Sequence, residues 1–232
     1  MAAGEGRRLR PVTEHWPKPI LPIEGRAVIA TLIRRLTEEG LTPVTVVTGH
    51  LAEQVEVLLG GLDVRVVRQP EADGSADAVR RALAGGALLP ALVSAADSVF
   101  HPGDLARFRD AFTASGAAGA VAFFRGPTDA AIRVEDGLVT RVVDSAGVLT
   151  PAALWGLTDE IDLDDLPGPP FELATAFQRA IEAGKPIAGV EVGRTRHLTN
   201  PVDLVRENFP YLGDGPGPRA RDSRKVLRTF RD

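Results

Sequence analysis

Near its start the chain reads Ala2-Ala3-Gly4-Glu5-Gly6-Arg7-Arg8-Leu9-Arg10-Pro11-Val12-Thr13, and shortly afterwards Pro17-Lys18-Pro19-Ile20-Leu21-Pro22. Small residues let backbone N–H groups come close to phosphate oxygens, and a tight loop of them forms an anion-binding concavity. Arg8 and Lys18 add two cations, enough to grip a triphosphate and an incoming phosphate together. A Gly-x-Gly alone often marks only a turn, so the weight rests on the whole string. A second group is Leu92-Val93-Ser94-Ala95-Ala96-Asp97-Ser98-Val99-Phe100, an apolar strand that runs into an aspartate. A carboxylate at the carboxyl end of a parallel strand sits where open α/β sheets bind ligands, and it can hold Mg2+ against triphosphate oxygens. Asp97 could instead cap the next helix, although Pro102-Gly103-Asp104 already supplies that start. Phosphoryl transfer needs this combination of cations, carboxylate and small-residue loop, and it needs no protein nucleophile.

Composition narrows the partners. The 232 residues contain no cysteine. Disulfides, thiolate nucleophiles and cysteine-bound zinc are excluded, which leaves carboxylates, histidines and water as metal donors and points to Mg2+, with Mn2+ as the alternative. Lys and Arg number 27 against 31 Asp and Glu, a net charge of -4 that gives no global attraction to nucleic acid. The expected partners are an NTP and a small phosphorylated substrate, with homo-oligomerisation left open. No apolar run approaches the roughly 18 residues of a membrane span, and no secretory signal pattern opens the chain. The expectation is a cytoplasmic protein without a membrane partner.

The elements that must position these residues follow from periodicity. Val44 to Thr48, Val64 to Val67 and Leu92 to Ala95 read as strands buried on both faces. Between them, Ala27 to Glu39 carries Val28, Ile29, Leu32, Ile33 and Leu36 on one helical face, with Gly40 as the stop. Further helices are expected over Leu51 to Leu59, Ala76 to Leu83 and Asp104 to Phe112. Such alternation predicts crossovers and a mostly parallel sheet. From Ala118 the pattern shifts to strands at Ala120 to Phe124, Ala131 to Val134, Leu138 to Val143 and around Leu154 to Leu157, with a Glu135-Asp136-Gly137 turn. A helix with Leu173, Phe177 and Ile181 on one face, a strand from Ile187 to Val192 and a helix from about Pro201 complete the domain. The stretch from Gly213 is Gly/Pro-rich and then basic, which reads as a mobile surface tail, with an oligomer contact or phosphate attraction as the alternatives.

The opening string resembles the sugar-phosphate nucleotidyltransferase family, whose pattern is Gly-x-Gly-Thr-Arg-Leu-x-Pro-Leu-Thr with Pro-Lys-Pro some ten residues later. The resemblance covers residues 1 to about 212 and implies phosphate binding and catalytic roles for Arg8, Lys18 and Asp97. The nucleotide loop would comprise Ala2, Ala3, Gly4, Glu5, Gly6 and Arg7, with Arg7 replacing the usual threonine. Gln69-Pro70-Glu71-Ala72-Asp73-Gly74-Ser75 resembles the base-reading segment, which implies nucleotide binding by Gln69, Gly74 and Ser75; a plain strand-to-helix turn is the alternative. An amide offers both a donor and an acceptor, so Gln69 could match N3–H and O4 of uracil or thymine. His197 falls where the family's second metal-binding aspartate belongs, and either helps Asp97 bind metal or plays a structural part. Glu172 resembles a sugar-binding glutamate, or else complements a helix dipole. The family's Glu-Lys-Pro lysine has no counterpart, leaving Arg133, Arg141, Arg194 or Arg196 to hold the acceptor phosphate, with Arg194 the first choice. His50 resembles a structural loop residue.

The implied fold is a Rossmann-like, mostly parallel mixed sheet flanked by helices, with a small β-rich acceptor lobe, a GT-A-like nucleotidyltransferase fold. The nucleotide part would span about 1-115, the acceptor part about 116-200, and the tail 213-232. The implied activity is transfer of NMP from an NTP to a sugar 1-phosphate with release of pyrophosphate. Alternatives are a cytidylyltransferase acting on a phospho-alcohol such as phosphocholine, and a non-catalytic nucleotide-binding subunit. Family members also begin with an apolar strand before Ala-Ala-Gly. Met1 stands almost against the loop, so in-frame codons upstream are expected to encode such a segment.

Overall fold

The structure is a computed structural model that describes residues 1–142 and 145–209. In chain order its elements are β1 (Pro22–Ile23), β2 (Arg26–Ala27), α1 (Val28–Glu38), β3 (Val44–Thr48), α2 (Ala52–Leu59), β4 (Val64–Arg68), α3 (Ser75–Ala84), β5 (Ala91–Ser94), β6 (Ser98–Val99) and α4 (Asp104–Ser115). The second half adds β7 (Gly119–Thr128), β8 (Arg133–Glu135), β9 (Leu138–Arg141), β10 (Gly147–Leu157), α5 (Leu173–Glu182), β11 (Ile187–Glu191), β12 (Arg196–His197) and α6 (Pro201–Asn208). Every expected element is present within a few residues of its expected limits. Val143 and the segment from Gly213 lie outside the described residues.

Local chemistry sets the boundaries. In α1 the residues Val28, Ile29, Leu32 and Ile33 are buried on one stripe, and Gly40 ends the helix in the left-handed region at φ 70°. Leu51 takes φ 50° and becomes the N-cap of α2, which delays that helix by one residue. At α6, Asn200 and Asp203 form a reciprocal capping box.

The sheet order is β5-β10-β7-β11-β9-β8, with β7–β11 parallel and the other pairings antiparallel, while β3–β4 form a separate parallel pair. The two groups meet through the first residues of the chain. Ala2 bridges Thr48 in parallel, and its N–H donates to Val47 O at 2.7 Å. Met1 N donates to Ser94 O at 2.7 Å, and Ala96 N donates to Met1 O at 2.9 Å, the bonding pattern of a parallel pair. The parallel character expected from the sequence thus belongs to the first half. The long hairpin-like return of β10 against β7 makes the second half largely antiparallel.

Strand β7 shows how the core is built. Ala120, Ala122 and Phe124 face α4 with Phe100, Leu105, Phe108 and Phe112, whereas Val121 and Phe123 face α3 and α5 with Trp155, Leu173 and Phe177. Alternate side chains feed opposite faces, so a central strand must be apolar throughout. Trp155 and Phe177 rings pack with centroids 4.8 Å apart at a 58° tilt.

Candidate active site

The loop after Ala3 is held from beneath. Gly6 sits at φ 63°, ψ 35°, where a side chain is strained, and an added Cβ would lie 3.0 Å from Thr13 Cγ2 and 3.4 Å from Lys18 Cβ. Thr13, fully buried, donates from Oγ1 to Gly6 O at 3.0 Å. Its carbonyl accepts a hydrogen bond from His50 Nε2 at 2.8 Å, and His50 N donates to Ala3 O at 3.1 Å. His50 is therefore a brace for the loop, as expected. Thr13 belongs to the motif, but its bracing role needs the folded loop to be seen.

A cleft of about 350 Å3 opens over this loop, lined by Met1, Ala2, Gly4, Gly6, Arg7, Arg8, Leu9, Lys18, Pro19, Ala95, Ala96, Asp97 and Thr199. It lies at the carboxyl ends of β3, β5 and the Met1-Ala2 stub, the edge where parallel α/β sheets present ligand sites. Lys18 Nζ is ion-paired with Asp97 Oδ2, and the two side chains are only 17% and 18% exposed. Arg8 lines the same cleft and has no hydrogen-bond or ion-pair partner among the described residues. Arg7 differs: its Nε and an Nη donate to Glu5 at 2.9 and 3.2 Å, and Arg10 reaches the same carboxylate at 3.1 Å. The Arg7 hydrogen bond and charge hold the Glu5 carboxyl below its ordinary range. Arg7 is neutralised locally, and Arg8 keeps its charge for a ligand. Ala3 and Glu5 support the loop without lining the cleft.

The carboxyl end of β4 stands beside this loop. Gln69 N donates to Thr48 O at 2.7 Å, and Gly49 packs between Ala3 and the Gln69 carbonyl. Gln69, 3% exposed, donates both amide hydrogens inside the protein: to Gly74 O at 3.0 Å and to Asp77 Oδ2 at 2.8 Å. Two acceptors fix the amide orientation, because the flipped form would set oxygen against oxygen. Only Oε1 is left for a ligand, so the donor half of the expected uracil or thymine pairing is not available. Asp77 accepts from Arg81 at 2.6 Å and Arg80 at 3.1 Å. Burial pushes its carboxyl up, but the hydrogen bonds from Arg81, Gln69 and Arg80 and the Arg81 charge outweigh this and hold it below its ordinary value. Asp77 is a residue that the motif contained without its role being visible.

The base-loop residues also touch the second half of the chain. Gly74, at φ 102°, lies so close to the Phe171 backbone that no Cβ fits. Ala76 N donates to Phe171 O at 2.9 Å, and Ser75 Oγ donates to Glu172 Oε2 while accepting from Leu173 N at 2.8 Å. Ser75 and Glu172 thus bind each other where the first turns of α3 and α5 meet, outside the main cleft. His197 is exposed and pairs across strands with Ser98; the nearby Thr199 lines the cleft instead, placed there by the capping box of α6. Arg196 is committed to Glu24 and Glu207. Arg194 is exposed, lies outside the main cleft, and makes no ion pair among the described residues.

Comparison with known proteins agrees with this geometry. Over 77 residues the chain is 35% identical to N-acetylmuramate alpha-1-phosphate uridylyltransferase of Neisseria meningitidis, covering 32% of this chain and 33% of the relative. Over 67 residues it is 37% identical to choline-phosphate cytidylyltransferase of Streptococcus pneumoniae, covering 29% of each chain. These alignments span about a third of the relatives' length or less. The fold matches the solved inositol-1-phosphate CTP transferase of T. maritima with a TM-score of 0.75 at 18% identity, covering 92% of this chain and 94% of the other. It matches UDP-glucose pyrophosphorylase of Acinetobacter baumanii at 0.75 and 16% identity, covering 98% and 97%. With residues 1–198 matching the family as a whole, the chain belongs to the MobA-like NTP transferase domain family.

Proposed function

We propose that the protein transfers NMP from an NTP to a sugar 1-phosphate, releasing pyrophosphate and forming an NDP-sugar. The observation that carries this reading is the convergence of Arg8, the Lys18–Asp97 pair and a glycine-shaped loop on one cleft at the carboxyl ends of parallel strands. An oxygen of the acceptor phosphate attacks the α-phosphorus in line, the bond to the bridging oxygen breaks, and pyrophosphate leaves with that electron pair. Arg8 and the loop N–H groups hold the triphosphate. Lys18 exchanges Asp97 for phosphate oxygens, and its ammonium offsets the charge that gathers there.

Asp97 fits a Mg2+ site. The described residues contain no cluster of three or more metal-binding side chains, and magnesium is commonly held by one or two carboxylates together with substrate phosphates and water. When bound, the ion would neutralise charge on the phosphate oxygens. Gln69 Oε1 would accept a base N–H, from N3 of uracil or thymine or N4 of cytosine. Glu172 and Arg194 would lie on the acceptor side, Arg194 serving the phosphate that Arg196 cannot reach while held by two glutamates.

A phospho-alcohol acceptor is the second reading, favoured by the absence of lysine from 116–184 and by the resemblance to a choline-phosphate cytidylyltransferase. Pyrophosphate release, measured with Mg2+ or Mn2+ while crossing NTPs against sugar 1-phosphates and phospho-alcohols, separates these. Turnover with a sugar 1-phosphate is the expected result. Turnover with phospho-alcohols alone moves the assignment to the second reading, and NTP binding without any turnover makes the protein a binding module.

A further inference from the structure

The segment after Gln69 is strapped to the second half of the chain. Phe171 N donates to Asp73 O at 2.6 Å and Ala76 N donates to Phe171 O at 2.9 Å, so Phe171 grips the segment on both sides of Gly74. Gly74 lies in that grip at φ 102°, and its missing Cβ leaves room for the Phe171 backbone. Two more bonds run through one hydroxyl: Ser75 Oγ donates to Glu172 Oε2 at 2.5 Å and accepts from Leu173 N at 2.8 Å. A serine hydroxyl has one hydrogen, and Glu172 holds it. The Arg80 guanidinium, 5.2 Å over the Phe171 ring, packs the same junction.

This junction reaches the Gln69 amide. Gln69 Nε2 donates to Gly74 O at 3.0 Å and to Asp77 Oδ2 at 2.8 Å, which leaves only Oε1 for a ligand. Gly74 O belongs to the peptide that joins Gly74 to Ser75, so its position follows from where Phe171 and Glu172 hold those two residues. Glu172 lies outside the main cleft, and its charge makes the Ser75 bond one of the stronger kind. A carboxylate that served only the dipole of α5 would need no Ser75 hydroxyl, and one that served only a sugar would be turned towards the acceptor rather than towards α3.

We propose that Glu172 is a positioning residue for the nucleotide base: through Ser75 it holds the Gly74 carbonyl where that carbonyl orients the Gln69 amide, so base selectivity is set in part from the second half of the chain. This role rests on the reading of Gln69 as the residue that contacts the base. It is independent of which phosphate is the acceptor.

Calorimetric dissociation constants for UTP, dTTP, CTP, ATP and GTP with Mg2+ give a selectivity ratio between the tightest nucleotide and the next. The ratio is compared in the parent protein, Ser75→Ala, Glu172→Ala and the double variant. Each single variant is expected to lower it at least about threefold, and the double variant by no more than the larger single loss, because both cut one linkage. Glu172→Gln, whose amide oxygen still accepts from Ser75, is expected to keep most of the ratio. Equal weakening for all five nucleotides, which a general loss of order would give, overturns the proposal, as does an unchanged ratio in either single variant or an additive loss in the double one. A raised KM for glucose 1-phosphate or phosphocholine in Glu172→Ala with the ratio intact gives the carboxylate to the acceptor and overturns it too. If Glu172→Ala does not fold, the ratio in Ser75→Ala decides by the same criterion. Failure of the parent protein to bind any of the five removes the nucleotide reading and this role with it, whereas binding with an intact ratio in the variants removes this role alone.

Discussion

Adjacent arginines in the loop have opposite fates. Arg7 is neutralised by Glu5 in an exposed pair, and Arg8 faces the cleft without a partner among the described residues. Replacing Arg8 by Gln should therefore lower kcat/KM for the NTP by roughly 10- to 100-fold, the value of a charge-assisted hydrogen bond of about 1.5–3 kcal/mol. Arg7→Gln should change it by less than about threefold. Steady-state pyrophosphate release on both variants checks this. Asp77 acts through Gln69. Asp77→Ala removes the acceptor that fixes the amide, so the ratio of kcat/KM between the best NTP and its closest competitor should fall by roughly 3- to 10-fold, whereas Asp77→Asn retains an acceptor and most of the selectivity. An unchanged ratio in Asp77→Ala would show that amide orientation does not select the base. The motif string identified Gln69, Arg8 and Arg7, but which charge or amide hydrogen was already used depended on Glu5 and Asp77 lying within reach.

At the scale of elements, the stub Met1-Ala2 joins two sheet fragments through an amine whose pKa is lowered to about 6 from an ordinary 8.0. The folded state binds this proton less readily than the unfolded chain. Between about pH 6 and pH 8 the unfolded chain therefore holds the extra proton, and stability rises with pH across that window. The effect should be on the order of 1–3 kcal/mol, measured by denaturant unfolding without divalent cations, and it should vanish when the amine becomes a peptide N–H. Flat stability from pH 6 to 8 would show that the amine is solvated. The helices and strands themselves were readable because α1 keeps its apolar stripe at helical spacing and β7 is apolar on both faces. Strand direction was less readable: the antiparallel return of β10 depends on which edges are free after β5 and β7 have formed.

Across the molecule, the expected boundary near residue 115 does not divide the sheet. Strand β5 pairs with β10 from the second half, and α3 shares a core with α5, Trp155 and Phe177. A chain ending at residue 115 should accordingly show no cooperative unfolding transition by circular dichroism, because β5 loses its pairing with β10 and α3 its apolar cover. A sharp transition from that fragment would establish an independent nucleotide-binding domain. Among the described residues no helix is long and apolar enough to cross a membrane.

Local order determined what the sequence alone could specify: periodic apolar residues placed the helices and strands, and one contiguous string placed Arg8 and Lys18 in the same loop region. Tertiary structure decided the relations between distant residues. It paired Lys18 with Asp97, turned Gln69 into an acceptor, tied Ser75 to Glu172, kept Thr199 rather than His197 at the cleft, and left an apolar slot between β3 and β5. The reason is that spacing along a chain constrains neighbours within a turn or two, whereas hydrogen-bond partners and strand edges are assigned only when separate segments compete for the same space.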